Sequence, residues 1–347
     1  MKVANMEAFK RSKKYYVLFL ALFVFLSYSI SSGSEGSEQS RAIGMAVEFM
    51  DHAACAYVAR DKGWFRQQGL HLSSYESYVT GMALAAALAR GDIEVAYICL
   101  VPAINVFANA GVKIKIVAGT HKYGYGLVVN PYKIHNIQDL ESPKIRLGCV
   151  REGGAVDVLL NKTIEEYHLD FRKILPRVQR MNPPKQVLAI KMGRLDAAFL
   201  PEQWATMAEN CGFKMLLTAR DIWPHMQGSV LVVKEELIKR HPGIVKELVR
   251  VTQKATTWIN NNPNEAAIIL ARQLSILAHP ILPAKIVQSI GELQITPKIL
   301  RRSMSRLDYE TTINAHDVQA VIDYMAKLGY IPNQFPADKL LDLRFLK

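Results

Sequence analysis

The sequence predicts an α/β fold of two lobes with a cleft between them and a helical C-terminal segment, on three observations. One stretch occurs twice: residues 83–102 read ALAAALARGDIEVAYICLVP and residues 185–201 read KQVLAIKMGRLDAAFLP, each an apolar helix, a Gly, a short apolar run and a Pro. Between residues 42 and 233 strand and helix patterns alternate, the rhythm of a parallel sheet. From Lys234 onward only 3.6-residue periodicity remains.

The repeat explains its own parts. Gly91 and Gly193 stand where a helix needs a left-handed residue to stop. The runs 93–100 and 195–200 are too short and too apolar for surface helices, so they read as strands buried on both faces, with Pro102 and Pro201 ending their ladders. In order, the pattern predicts a strand over 42–47, a helix over 53–62, a strand over 71–75, a helix over 82–90 capped by Thr80, the first repeat strand, a helix over 103–110 and a strand over 113–120. Gly/Tyr-rich HKYGYG at 121–126 reads as a crossing into a second lobe. That lobe carries a strand at 127–129, a helix start at 136–140, strands at 145–150, 178–181 and 214–218, helices at 155–168 and 184–192, and the second repeat strand. Residues 223–229 return the chain, leading into a strand over 230–233. Helices follow over 235–240, 242–260, 264–274, 283–293, 297–307 and 316–328. The expected division is 42–122 with 227–347 for one lobe and 123–226 for the other.

A chain of 347 residues is long enough for two domains of ordinary size. The net charge of +12 is partly local: Lys2, Lys10, Arg11, Lys13 and Lys14 face one acid, Glu7, at the start. Elsewhere the charges interleave without a basic block, so nucleic acid is not an expected partner. That basic start, an apolar run over 15–30 and the polar SSGSEGSEQS make residues 1–31 a signal peptide or membrane anchor, followed by a tether over 32–41, and predict export to a periplasm or cell surface. Cys55, Cys99, Cys149 and Cys211 sit among small apolar residues without Cys–x–x–Cys spacing. They read as buried thiols rather than two disulfides, and no structural zinc site or cofactor is expected.

ARDKGWFRQQGL at 59–70 resembles the phrase that follows the first strand in the nitrate/sulfonate/taurine-type substrate-binding proteins of ABC importers. The two repeats are similar to that family's Gly–x–x–Asp–x–Ala strands, and PGIVKELVRVTQKATTWINNNPNEAAIILARQL to its C-terminal helices. The resemblance covers roughly residues 42–347. It implies a periplasmic-binding-protein-like fold with a Venus-flytrap cleft and C-terminal helices on the first lobe. It also implies a monomer that captures a small molecule and hands it to an importer's permease and ATPase, meeting the membrane only through the N-terminal segment. The superfamily also holds enzymes and binders of thiamine-pyrimidine and menaquinone precursor type, so an enzyme on the same fold is the alternative. The sequence offers no nucleophile elbow, HExxH or Walker loop for it.

In such a fold the ligand sits beyond the carboxyl ends of the strands. The candidates are Glu48, Met50, Asp51 and His52 after the first strand, Leu100 after the first repeat, Tyr123 and Tyr125 at the crossing, and Arg151, Gly153 and Gly154 at a helix start. Glu202 and Trp204 follow the second repeat, and Gln227 the return crossing. Two glycines at a helix start leave its N–H groups open to an anion, with Arg151 as a clamp. The resemblance implies a small polar residue there, which Gly153-Gly154-Ala155 lacks. Trp204 suits stacking on a flat ligand. Acids at 48, 152 and 202 beside aromatics favour an amine- or ring-nitrogen-bearing organic molecule.

Overall fold

The computed structural model describes residues 41–282 and 295–347. The proposed signal or anchor, nearly all of the tether and the helix expected over 283–293 lie outside the described residues. No described helix is long and apolar enough to cross a membrane.

Eleven described strands build two sheets. The first runs β2 (His71–Tyr78), β1 (Ala42–Glu48), β3 (Val95–Cys99), β10 (Gln227–Lys234), β4 (Ile114–Tyr123) and β11 (Leu307–Asp308). The second runs β7 (Gln179–Arg180), β6 (Leu147–Cys149), β8 (Ala197–Pro201), β5 (Tyr125–Val129) and β9 (Lys214–Thr218). Neither sheet is wholly parallel. β10 lies antiparallel between β3 and β4, and β5 lies antiparallel between β8 and β9. The chain's two crossings cause this, since each delivers a strand travelling the opposite way into the middle of a sheet.

The repeat strands are buried throughout. Alternate residues feed two apolar layers: Val95, Tyr97, Ala198 and Leu200 go to one, and Ala96, Ile98, Ala197 and Phe199 to the other. Gly91 at φ 104° ends the helix Gly81–Arg90, and Gly193 at φ 66° follows the helix Pro183–Lys191. The two prolines differ. Pro201 is the last residue of β8, paired with Tyr125, whereas Pro102 sits in the first turn of the helix Leu100–Ala110, where its missing N–H costs nothing.

The C-terminal helices Pro242–Asn261 and Pro263–Ile281 pack on the helix Ala54–Asp61 of the first lobe. The helix Pro297–Met304 reaches further and packs on Glu202–Glu209 of the second. Arg306 just beyond it bonds Glu202 at 2.7 Å and Glu209 at 2.9 Å. The helix expected over 297–307 stops early because its last residue pairs instead, Leu307 opposite Tyr123.

Candidate functional site

Between the sheets lies a cavity of about 360 Å³. Its wall is composite because strand ends and helix starts from both sheets converge there. Glu48 and Met50 come after β1, Val79–Ala83 from the next helix start, and Cys99 and Pro102 from β3 and its helix. Opposite stand Tyr125, Val150, Arg151, Gly154, Ala155, Val156, the run 180–183 and Pro201. Most of this wall is apolar. Polarity enters at three places.

The first is a pair of helix N-termini. Thr80 caps its helix by accepting from Ala83 N at 3.3 Å. Gly154 gives the helix Ala155–Glu166 no side-chain cap, so its first N–H groups remain open to a ligand anion. The second is arginine. Arg180 is spoken for: it bonds Asp157 Oδ1 at 2.5 Å and Val150 O at 2.9 Å. Arg151 is exposed and pairs with no described carboxylate.

The third is the Glu48 corner. Its carboxylate accepts from Cys99 N at 3.2 Å and from Cys99 Sγ at 2.9 Å, while His52 Nδ1 lies 3.5 Å from that sulfur and 4.0 Å from Glu48 Oε2. Burial pushes the Glu48 carboxyl up to about 7 against the pull of the Cys99 hydrogen bonds, and burial lowers His52 to about 4. Near neutrality Glu48 can therefore donate as well as accept. Gly81 makes the room: a Cβ there would overlap Glu48 Oε1 and lie 2.7 Å from Pro102 Cγ.

Of the residues singled out from sequence, Glu48, Met50, Tyr125, Arg151 and Gly154 come together on this wall. The others do not. Asp51 and His52 are fully buried one layer behind; burial first, and Glu202 nearby, raise Asp51 to about 7 against a hydrogen bond from Ser303. Leu100 faces the apolar core, and Gly153 donates to Asp157 instead. Tyr123 and Gln227 brace the crossings, Tyr123 donating to Pro224 O at 2.8 Å and Gln227 to His121 O at 2.9 Å. Glu202 is held by Arg306 and Thr206, and Glu152 is exposed with its carboxylate turned to Arg180. Trp204 is fully buried with its ring 6.3 Å from Phe49, so it is core rather than a stacking platform. Only one acid of the expected three thus reaches the cavity. Thr80, Met82, Arg180, Met181 and Asn182 were missed. Each follows a strand end or opens a helix, as the others do, so the signal was present in the strands expected at 71–75 and 178–181 and in the helix start capped by Thr80.

A cavity between two mixed sheets, crossed twice by the chain and rimmed by helix starts, defines the class: the fold of periplasmic substrate-binding proteins. The profile of the NMT1-like family matches residues 36–274, and the chain belongs to that family. A Brucella abortus (strain 2308) protein described as a binding protein is 24% identical over 265 residues, covering 74% of this chain and 78% of that one. The alkanesulfonate-binding protein SsuA of Xanthomonas axonopodis pv. citri superposes with a TM-score of 0.71 at 14% identity, covering 89% of this chain and 100% of that one. The periplasmic nitrate-binding protein NrtA of Synechocystis PCC 6803 gives 0.72 at 14% identity, covering 89% and 88%.

Proposed function

We propose that the protein is the extracytoplasmic solute-binding component of an ABC importer, exported behind its N-terminal segment to a periplasm or cell surface. It captures a small organic molecule between two lobes, 42–122 with 227–347 and 123–226, and delivers it as a monomer to a permease and ATPase. The observation that carries this reading is the composite cavity of about 360 Å³, a volume suited to a small organic molecule and walled by residues of both sheets. Closure needs a hinge, and the crossing offers one. Tyr123 and Gly124 take positive φ angles of 62° and 87° in succession. The family and the relative described as a binding protein support capture over the enzyme alternative.

The wall also narrows the ligand. With Glu152, Glu202 and Trp204 off the wall, an amine held by several carboxylates loses its support. Arg151 and the uncapped helix start at Ala155 favour an anionic head, and Met50, Val79, Met82, Val150 and Met181 an apolar body. A melting screen of the purified chain with aliphatic sulfonates, carboxylates, nitrate, pyrimidines and amines tests this. Stabilisation by the organic anions is expected. Stabilisation by amines alone would overturn the ligand reading, and turnover of any of these compounds would overturn the solute-binding one.

A further inference from the structure

We propose that Glu48, His52 and Cys99 form a metal site in the corner of the cleft, taking a thiophilic divalent ion such as Zn²⁺ and leaving one coordination position open to the cavity. One ligand atom from each of the three buried side chains lies within 4.8 Å of the others. The tautomer of His52 is fixed by its surroundings. Nε2 lies 2.7 Å from Gly124 O, a carbonyl that can only accept, so Nε2 carries the proton and the Nδ1 lone pair faces Cys99 and Glu48. A ligating histidine is ordinarily held in this way, its second nitrogen donating to a carbonyl.

The spacing fits. Metal–ligand lengths of about 2.3 Å to sulfur and about 2.0 Å to nitrogen or oxygen give tetrahedral edges of about 3.3–3.6 Å. Sγ to Nδ1 is 3.5 Å, within that range. Sγ to Oε2 at 2.9 Å is short and Nδ1 to Oε2 at 4.0 Å is long. Swinging the Glu48 carboxylate by roughly 1.3 Å, within reach of a rotation about its side-chain bonds, would bring both to the tetrahedral values. Glu48 and Cys99 also line the cavity, so the fourth position faces the space where a solute would sit. A further polar atom stands at the same corner: the Tyr125 hydroxyl, on the cavity wall, is buried and interacts with the Cys99 thiol. Binding would send the Cys99 thiol proton to solvent and leave a thiolate, carboxylate and neutral imidazole around the ion. Mixed sulfur, nitrogen and oxygen donors suit zinc and its neighbours, not calcium or magnesium. That the ion then meets an oxygen of the solute rests on the solute-binding reading; occupancy by the ion does not.

Cobalt substitution separates the two. Reduced, chelator-treated full chain is titrated with Co²⁺ in the absence of any organic ligand. The site predicts saturation near one equivalent, strong visible bands of a tetrahedral ion and a thiolate-to-cobalt charge-transfer band, all displaced by Zn²⁺. Cys99→Ser should remove the charge-transfer band and raise the Kd for Zn²⁺ by about tenfold or more; Cys211→Ser should leave both unchanged. No charge-transfer band in the wild type, or one that survives Cys99→Ser, overturns the proposal. If Cys99→Ser fails to fold, the three other cysteines are replaced by serine in turn: a band kept by each variant assigns it to Cys99 and one lost in any of them overturns the proposal, while solute capture is judged separately by the melting screen.

Discussion

Gly81 and Trp204 separate the cavity from the core behind it. At Gly81 even a methyl group would press on the Glu48 carboxyl and on Pro102, both of which line the cavity. Overpacking of this kind costs about 1–3 kcal/mol, borne here by the site. Gly81→Ala is therefore expected to weaken ligand binding about tenfold or more while the melting temperature drops only modestly, as calorimetry and thermal melting would show. Trp204→Ala should behave the opposite way. The ring is fully buried against Phe49, and removing such a side chain costs about 3–5 kcal/mol. Denaturant unfolding should show that loss, with affinity nearly kept in the folded fraction; unchanged stability would mean the ring is not packed as described. The sequence shows that Trp204 follows a strand end beside polar residues, but not which way a helical side chain faces once its helix has docked. Reading it as a ligand platform failed for that reason. The place of Glu48 on the cavity wall was legible because it ends the first strand, and ligands of open α/β sheets meet the carboxyl ends of the strands.

At the scale of elements, the twin Gly–strand–Pro stretches were the most readable part of the chain. β3 lies within its predicted span and β8 runs one residue past its own, to Pro201, because apolar runs bounded by Gly and Pro leave few alternatives. What the runs could not show is pairing: the antiparallel insertion of β10 and β5 depends on where the crossings return the chain, which is not a local property. Asp196, at the entry to β8, shows how the second copy is anchored. Its carboxylate takes Arg146 Nε at 2.7 Å, Arg146 Nη2 at 2.8 Å and Lys133 Nζ at 2.6 Å. Burial alone would raise its pKa, but these hydrogen bonds hold it well below the usual carboxylate range. A depressed folded-state value stabilises above the unfolded value of about 3.9 and is lost as pH falls further. At pH 7 Asp196→Asn should cost on the order of 2 kcal/mol. The gap between variant and wild type in urea unfolding should hold down to about pH 5 and shrink below about pH 4. A gap independent of pH would show that the charge contributes nothing.

Over the whole molecule, the crossings decide whether the cavity is a trap or a fixed hole. Gly124 is the narrow point: its φ is 87°, and a Cβ there would lie 2.7 Å from His52 Nε2 and 3.0 Å from His121 Cε1. Tyr123 ties one crossing to the other through Pro224, and Arg306 holds Glu202 and Glu209 of the second lobe from the C-terminal segment. HKYGYG at 121–126 marked the crossing, where Gly124 at a positive φ interrupts the run between β4 and β5. The C-terminal bridge was not legible, because 3.6-residue periodicity shows that a helix is amphipathic but not whether it spans two lobes. The account's central claim is that the lobes close on a solute held in the cavity. Small-angle scattering of the purified chain, stripped of small molecules and then saturated with the compound that stabilises it most in the melting screen, tests this directly. A smaller radius of gyration in the saturated protein is predicted; an unchanged radius at saturation would contradict it.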